Sequence, residues 1–247
     1  MVSEKPWTAV DVLRLLLAWL LLLCAGQLIL TQLVPGGGLS QTSSSRLLTL
    51  AVQACSFHVA ALILVGILLS RRGITWAEAF GLSLPHASTP LFAGALAGLL
   101  VLPSAWALGQ ASALALPELG FDVKPQQAVQ MVQGATSDAE RALTAVMAIV
   151  LAPVVEEVIF RGILYPAVKQ VGYPRLAGWG TAFLFAAIHA TPAIFLPLFL
   201  LSALLAHLYE RTGTLLAPIA THIVFNLANF LWLMNPRLMQ RWLGADA

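Results

Sequence analysis

Long apolar segments, separated by short polar or glycine-rich stretches, restrict the fold of this chain more than any other feature. A helix of about 20 apolar residues crosses a bilayer, and only helices or closed barrels satisfy their backbone groups within lipid. The segments predict helices over residues 8–34, 46–70, 88–116, 138–169, 173–189, 193–209 and 214–234. The expected fold class is all-α, a polytopic transmembrane helical bundle with about seven or eight spans.

The composition supports a membrane protein. The 247 residues are 59% hydrophobic and 10% charged, with a mean hydropathy of +0.86, so polar residues are too few to cover a soluble globule. The 13 basic and 11 acidic residues are scattered without a basic block, which argues against a nucleic-acid partner. We therefore expect an integral, multi-pass protein in contact with membrane lipids, in the inner or plasma membrane if the source is bacterial.

The chain shows no internal repeat and no soluble segment of domain size. We expect one integral membrane domain over residues 1–247, with the chemically informative motifs in a catalytic core at 138–234. Cys24 and Cys55 lie in apolar runs without a CxxC pattern, so we expect small buried core residues rather than a disulfide or a metal cluster.

Three stretches give local predictions. Pro35 to Gly38 should end the first helix, because proline and consecutive glycines do not continue one. Residues 117–137 form a polar connection, and 125–134 is expected as a short amphipathic helix over the membrane face. Gly94 and Gly98 form a small-xxx-small pattern, which lets two helix backbones pack closely.

Charged residues interrupt one apolar segment at Glu156-Glu157-x-x-x-Arg161. Each ionisable side chain at membrane depth costs about 2.5–3.5 kcal/mol on insertion scales, so the cluster needs a compensating role. Glu157 and Arg161 are i,i+4 neighbours and predict an ion pair. Glu156 points about 100° away around the helix, toward no local cation. Pro153 should kink or break the long predicted helix just before these residues.

Two later helices also carry polar residues. Phe185 and His189 share a helix face just before a Thr-Pro stop, while His222, Asn226 and Asn229 form a polar stripe at i, i+4 and i+7.

Together these clusters supply the groups that hydrolysis by water needs. Glu156 is the unpaired carboxylate that can take a proton from water, and His189 can share that water. His222 and Asn226 offer two donors on one face, which suits an oxyanion hole. The clusters contain no Ser or Cys with a matching base, which argues against a covalent intermediate.

The three motifs, Glu156-Glu157-x-x-x-Arg161, Phe185-x-x-x-His189 and His222-x-x-x-Asn226, resemble in this order those of the CPBP intramembrane proteases. That family includes the CAAX prenyl endopeptidases and the bacterial Abi-type proteins. The likeness is dense from about residue 150 to 230, and Arg211 to Ile219 also resembles the family's lead into its third motif.

The resemblance implies a helical bundle of the CAAX prenyl protease type and a glutamic intramembrane endopeptidase without a cofactor or metal. It makes Glu156 the water-activating base, assisted by His189. It gives His222 and Asn226 the oxyanion role, and its motifs assign supporting positions to three further residues, Glu157, Arg161 and Phe185. The implied partner is a peptide or protein substrate. This substrate either carries a prenylated C-terminus or is a membrane-associated leader peptide.

Two alternatives stay open at the level of sequence. In the first, His189, His222 and a glutamate hold Zn²⁺ in an intramembrane metalloprotease. In the second, the polar residues serve a non-catalytic membrane binding or immunity protein.

Overall fold

The computed structural model describes residues 2–34, 43–82, 87–121 and 127–235, and every regular element in these ranges is helical. The α-helices are α1 (Ala9–Leu33), α2 (Ser43–Gln53), α3 (Ala60–Arg71), α4 (Trp76–Phe80), α5 (Ser88–Glu118), α6 (Gln127–Gly134), α7 (Asp138–Val146), α8 (Ala152–Glu157), α9 (Tyr165–Gln170), α10 (Pro174–Ile188), α11 (Pro192–Thr212) and α12 (Leu216–Leu233). Within these ranges, three π-helical segments join some of them: π1 (Ala54–Val59), π2 (Met147–Leu151) and π3 (Val158–Leu164). The predicted break at Pro35 to Gly38 lies outside the described residues, as does the middle of the predicted polar connection.

Six helical runs within the described ranges are long and apolar enough to cross a membrane. They are Ala9–Leu33, Ser44–Arg71, Ser88–Glu118, Asp138–Gln170, Pro192–Thr212 and Leu216–Leu233. The other predicted helix is α10, whose 15 residues extend about 22 Å, less than the roughly 30 Å of a hydrocarbon core. The helix ends at Ile188 with His189 as its C-cap, and Ala190 then adopts a left-handed conformation with φ of 51°. The fold is a polytopic helical bundle, and the protein is an integral multi-pass membrane protein.

The prediction that Cys24 and Cys55 are buried is wrong, because both are exposed on the outside of the bundle. Many large apolar residues are also exposed on the outside of the bundle, and Leu21, for example, is 70% exposed. Lipid is as apolar as a protein core, so hydrophobicity alone does not separate a core position from a lipid-facing one.

The prediction was a kink or a break at Pro153, and the break is wrong, because residues Asp138 to Gln170 form one continuous helical run. The irregularity takes the form of π2, which ends with Ala152 N donating to the Met147 carbonyl five residues earlier. The next bond in that register would run from residue 153 to the Ala148 carbonyl, but proline has no N–H to donate. The Ala148 carbonyl is thus left open to a donor from another helix.

The close packing predicted at Gly94 and Gly98 is confirmed, and it joins α5 to α12. A Cβ on Gly94 would collide with the Ala217 carbonyl, and one on Gly98 would lie 2.8 Å from the Thr221 carbonyl oxygen. Thr221 Oγ1 also donates to the Gly94 carbonyl at 2.8 Å. This contact fixes the position of α12, on which His222 follows Thr221 directly.

The short helix α4 contacts the residues just before α12 and the Asp138–Gln170 run. Phe80 is fully buried, and its carbonyl accepts from Leu215 N at 3.0 Å just before α12 begins. Its ring lies so close to Gly162 that a Cβ there would be 2.7 Å from Phe80 Cε1. The residue thereby holds the start of α12 against π3.

We predict that Gly98→Ala lowers the melting temperature in detergent, because the new methyl group pushes α12 away from α5. Gly109→Ala on the same helix is the matched control, since its Cβ would meet only Pro197 Cγ at 3.7 Å. The control should be neutral or gain up to about 1 kcal/mol from helix propensity. Equal melting temperatures for the two variants would contradict the close packing.

Candidate active site

A single buried carboxylate, that of Glu157, connects two of the three motifs. Its Oε1 atom accepts from Arg161 Nη1 at 2.9 Å, so the predicted i,i+4 pair forms. The same oxygen accepts from His222 Nδ1 on α12, also at 2.9 Å. The Glu157 side chain has no exposure to solvent, and Arg161 and His222 are 1% and 2% exposed. One carboxylate oxygen of Glu157 is therefore engaged by two side chains from different helices.

Arg161 is held by three helices. Besides Glu157, it donates from Nη2 to Ser202 Oγ at 2.5 Å and to the Ser202 carbonyl at 3.0 Å, both on α11. Its Cζ atom lies 4.9 Å from the centre of the Phe185 ring on α10, within cation–π distance. Sequence reasoning missed Ser202, because a single serine in an apolar helix carries no motif signal.

Glu156 differs from its neighbour. Its side chain is 13% exposed, and among the described residues it has no hydrogen bond. Its Oε2 atom lies 3.7 Å from His222 Nε2, which is too long for a direct hydrogen bond. His189 is also close enough to interact electrostatically with this carboxylate. The carboxylate of Glu156 thus lies near two imidazoles, and no hydrogen bond within the described residues occupies its oxygens.

The imidazole of His189 is oriented by its own helix. Its Nδ1 atom lies 2.7 Å from the Phe185 carbonyl. Because a carbonyl only accepts, Nδ1 carries a hydrogen, and in the neutral ring Nε2 keeps a free lone pair. The Phe185 ring is close to both histidines, with its centre 4.9 Å from that of the His189 ring and 5.7 Å from that of the His222 ring. Phe185 therefore packs against both imidazoles.

The bond from His222 Nδ1 to Glu157 determines what the other nitrogen can do. With Nδ1 as the donor, Nε2 of a neutral ring is an acceptor, and it donates only in the imidazolium form. His222 can therefore supply an oxyanion donor only when it carries both protons.

Asn226 and Asn229 do not point at a common target. Asn226 Nδ2 donates to the Ala148 carbonyl at 2.8 Å, and so fills the acceptor that Pro153 leaves open. One further N–H of this amide remains. Asn229 instead accepts from Trp106 Nε1 at 3.0 Å and donates to its own helix. The predicted stripe thus serves two different neighbours.

The geometry gives no support to the zinc alternative. No group of three His, Cys, Asp or Glu side chains in the part of the chain that the structure describes is arranged to hold a metal ion. The Nδ1 atoms of both His189 and His222 are engaged in hydrogen bonds, so only their Nε2 atoms remain to bind a metal.

Comparison with known proteins confirms the resemblance drawn from the motifs. Residues 138–228 match the profile of the family described as type II CAAX prenyl endopeptidase Rce1-like. This stretch contains every motif residue from Glu156 to Asn226. Neither the curated proteins nor the solved structures gave a match. Over residues 138–228 the chain is therefore similar to the Rce1-like CAAX protease family, and this similarity suggests an intramembrane protease with peptide substrates.

Proposed function

We propose that this protein is an intramembrane endopeptidase in which Glu156 activates water for attack on a peptide bond. The strongest support for this role is the difference in hydrogen bonding between the adjacent carboxylates of Glu156 and Glu157. Glu157 is engaged by a cation and an imidazole, whereas Glu156 has no hydrogen bond among the described residues and faces two histidines. A general base must be free to accept a proton from water, and Glu156 meets that condition.

In this mechanism a water molecule lies between Glu156 and His189. Glu156 takes one proton, and the resulting hydroxide attacks the carbonyl carbon of the scissile bond. His189 Nε2 accepts the water's other hydrogen bond and so orients the attack. The carboxylic acid formed on Glu156 then gives its proton to the leaving amine as the C–N bond breaks. The glutamate ends the cycle ionised, and no covalent enzyme intermediate forms.

The developing oxyanion is stabilised from α12. The donors are Nε2–H of His222 in its imidazolium form and the second N–H of Asn226. An imidazolium at His222 also balances the local charge, because Arg161 and His222 then face the two carboxylates Glu156 and Glu157. The bond to Ala148 orients the Asn226 amide against the run that carries Glu156.

The substrates we propose are membrane-associated peptides. A prenylated C-terminal peptide is one class, by analogy with the family name, and a leader peptide is the other. Peptide products that depend on Glu156 would identify which class this protein cleaves.

We predict that Glu156→Gln abolishes proteolysis, with a loss of at least about 10²-fold, because it removes the base and keeps the shape. Peptides released by membranes that hold the wild type, Glu156→Gln or the control Glu118→Gln are compared by mass spectrometry. Glu118 is an exposed residue at the end of α5, so its variant makes the same chemical change outside the site. The thermal stability of all three proteins should agree closely.

Identical products from Glu156→Gln and the wild type would refute the role of the base. The Glu156-dependent cleavage is also measured after treatment with a strong chelator, and it should persist. Activity that is lost on chelation and returns with Zn²⁺ would support a metalloprotease instead.

Glu157→Gln and Arg161→Ala should lose stability as well as activity, because each variant leaves a buried partner without its counter-charge. Breaking such a pair costs about 3–5 kcal/mol. Arg141→Ala is the matched control, since Arg141 pairs with Asp138 at an exposed position and should cost only about 0.2–1 kcal/mol. Denaturation in detergent measures all three. An equal, small loss for Arg161→Ala and Arg141→Ala would contradict the buried network.

Asn226→Ala should lower kcat far more than it changes KM, because an oxyanion donor acts mainly in the transition state. The expected loss in kcat is about 10²–10³-fold. Asn229→Ala is a close control, since it also removes an interhelical hydrogen bond, the one to Trp106. If Asn226 only ties α12 to Ala148, both variants should lose a similar amount of stability and keep kcat within a few fold of the wild type.

A further inference from the structure

We propose that Ser202 is a positioning residue for His222, acting through Arg161 and Glu157. This inference rests on the proposed function, because it concerns the orientation of the imidazole that faces Glu156. None of the three sequence motifs contains Ser202, which lies on α11, apart from the helices that carry the glutamates and His222.

An unbroken series of short contacts runs from Ser202 to His222. Ser202 Oγ lies 2.5 Å from Arg161 Nη2, Arg161 Nη1 lies 2.9 Å from Glu157 Oε1, and that oxygen lies 2.9 Å from His222 Nδ1. All four residues are at most 2% exposed. Bulk water therefore does not replace a contact that is lost.

Arg161 needs an anchor outside its own helix. Its pair with Glu157 links residues one turn apart and does not fix them relative to the rest of the bundle. Its Nε atom has no hydrogen-bond partner within the described residues, so Ser202 supplies the hydrogen bonds that tie the guanidinium to another helix.

Glu157 depends on Arg161 in the same way. Its Oε2 atom is buried without a hydrogen-bond partner in the described part of the chain, so Oε1 alone carries both contacts. A shift of the guanidinium therefore moves the oxygen that holds His222 Nδ1. Once that oxygen moves, the imidazole can rotate, and Nε2 no longer points toward Glu156.

A purely structural role for Ser202 predicts a different result. If the hydroxyl only satisfies a buried guanidinium, Ser202→Ala should lower stability and leave His222 in place, because the Ser202 carbonyl still accepts from Arg161. The test must therefore observe the imidazole itself as well as the rate.

The first measurement is proton NMR of protein labelled with ¹⁵N-histidine in detergent micelles. The chain has 5 histidines, and the spectrum of His222→Gln identifies the Nδ1–H signal of His222. In the wild type this hydrogen should give a low-field signal in slow exchange with water. Ser202→Ala should broaden or remove it, whereas Ser112→Ala, which removes another buried serine hydroxyl on α5, should not.

The second measurement is the rate of cleavage of an internally quenched farnesylated peptide. Ser202→Ala should lower kcat about tenfold while KM stays within about twofold, because the imidazole acts in the transition state. Ser202→Thr keeps the hydroxyl and should restore both the signal and most of the rate. Ser112→Ala should match the wild type.

An unchanged His222 signal in Ser202→Ala would overturn the proposal, and so would a wild type without that signal. A fall in kcat that only follows a loss of folded protein, or that Ser202→Thr does not reverse, would also contradict it. If Glu156-dependent cleavage is seen neither with this peptide nor among the peptides released by membranes, the proposed function fails, and the NMR signal alone decides whether Ser202 positions His222.

Discussion

A carboxylate without access to water must be neutralised by its neighbours, and Glu157 is such a group. Its partners Arg161 and His222 come from different parts of the chain, so one oxygen atom joins the Asp138–Gln170 run to α12. The guanidinium extends the connection to α10 and α11 through Phe185 and Ser202. The arrangement of four helices around Glu156 therefore depends on the buried charges of Glu157 and Arg161, whose partners all lie inside the bundle.

The backbone makes a second connection between the same two helical regions. Pro153 removes one N–H from the run that carries the glutamates, and π2 shifts the hydrogen bonds before it. The amide of Asn226 compensates by donating to Ala148. An irregular helix at this depth is tolerated because its open carbonyl is satisfied by a neighbouring helix.

The helices and the Glu157–Arg161 pair could be predicted because hydropathy and i,i+4 spacing are local properties of the sequence. The partners of Ser202 and Asn226 could not, because they depend on how α11 and α12 pack against the rest. The burial of Cys24 and Cys55 was predicted wrongly, since a lipid-facing position and a core position have the same composition. The π-helical register before Pro153 has no sequence signature beyond the proline itself.

The contact between Asn226 and Ala148 also bears on how this sequence can vary. A residue other than proline at position 153 would bring back an N–H that can satisfy the Ala148 carbonyl from within its own helix. The Asn226 amide would then lose the Ala148 carbonyl as its acceptor. Its N–H would no longer be held against the helix that carries Glu156. Pro153 is therefore expected to affect the orientation of Asn226, although the two residues are far apart in the chain.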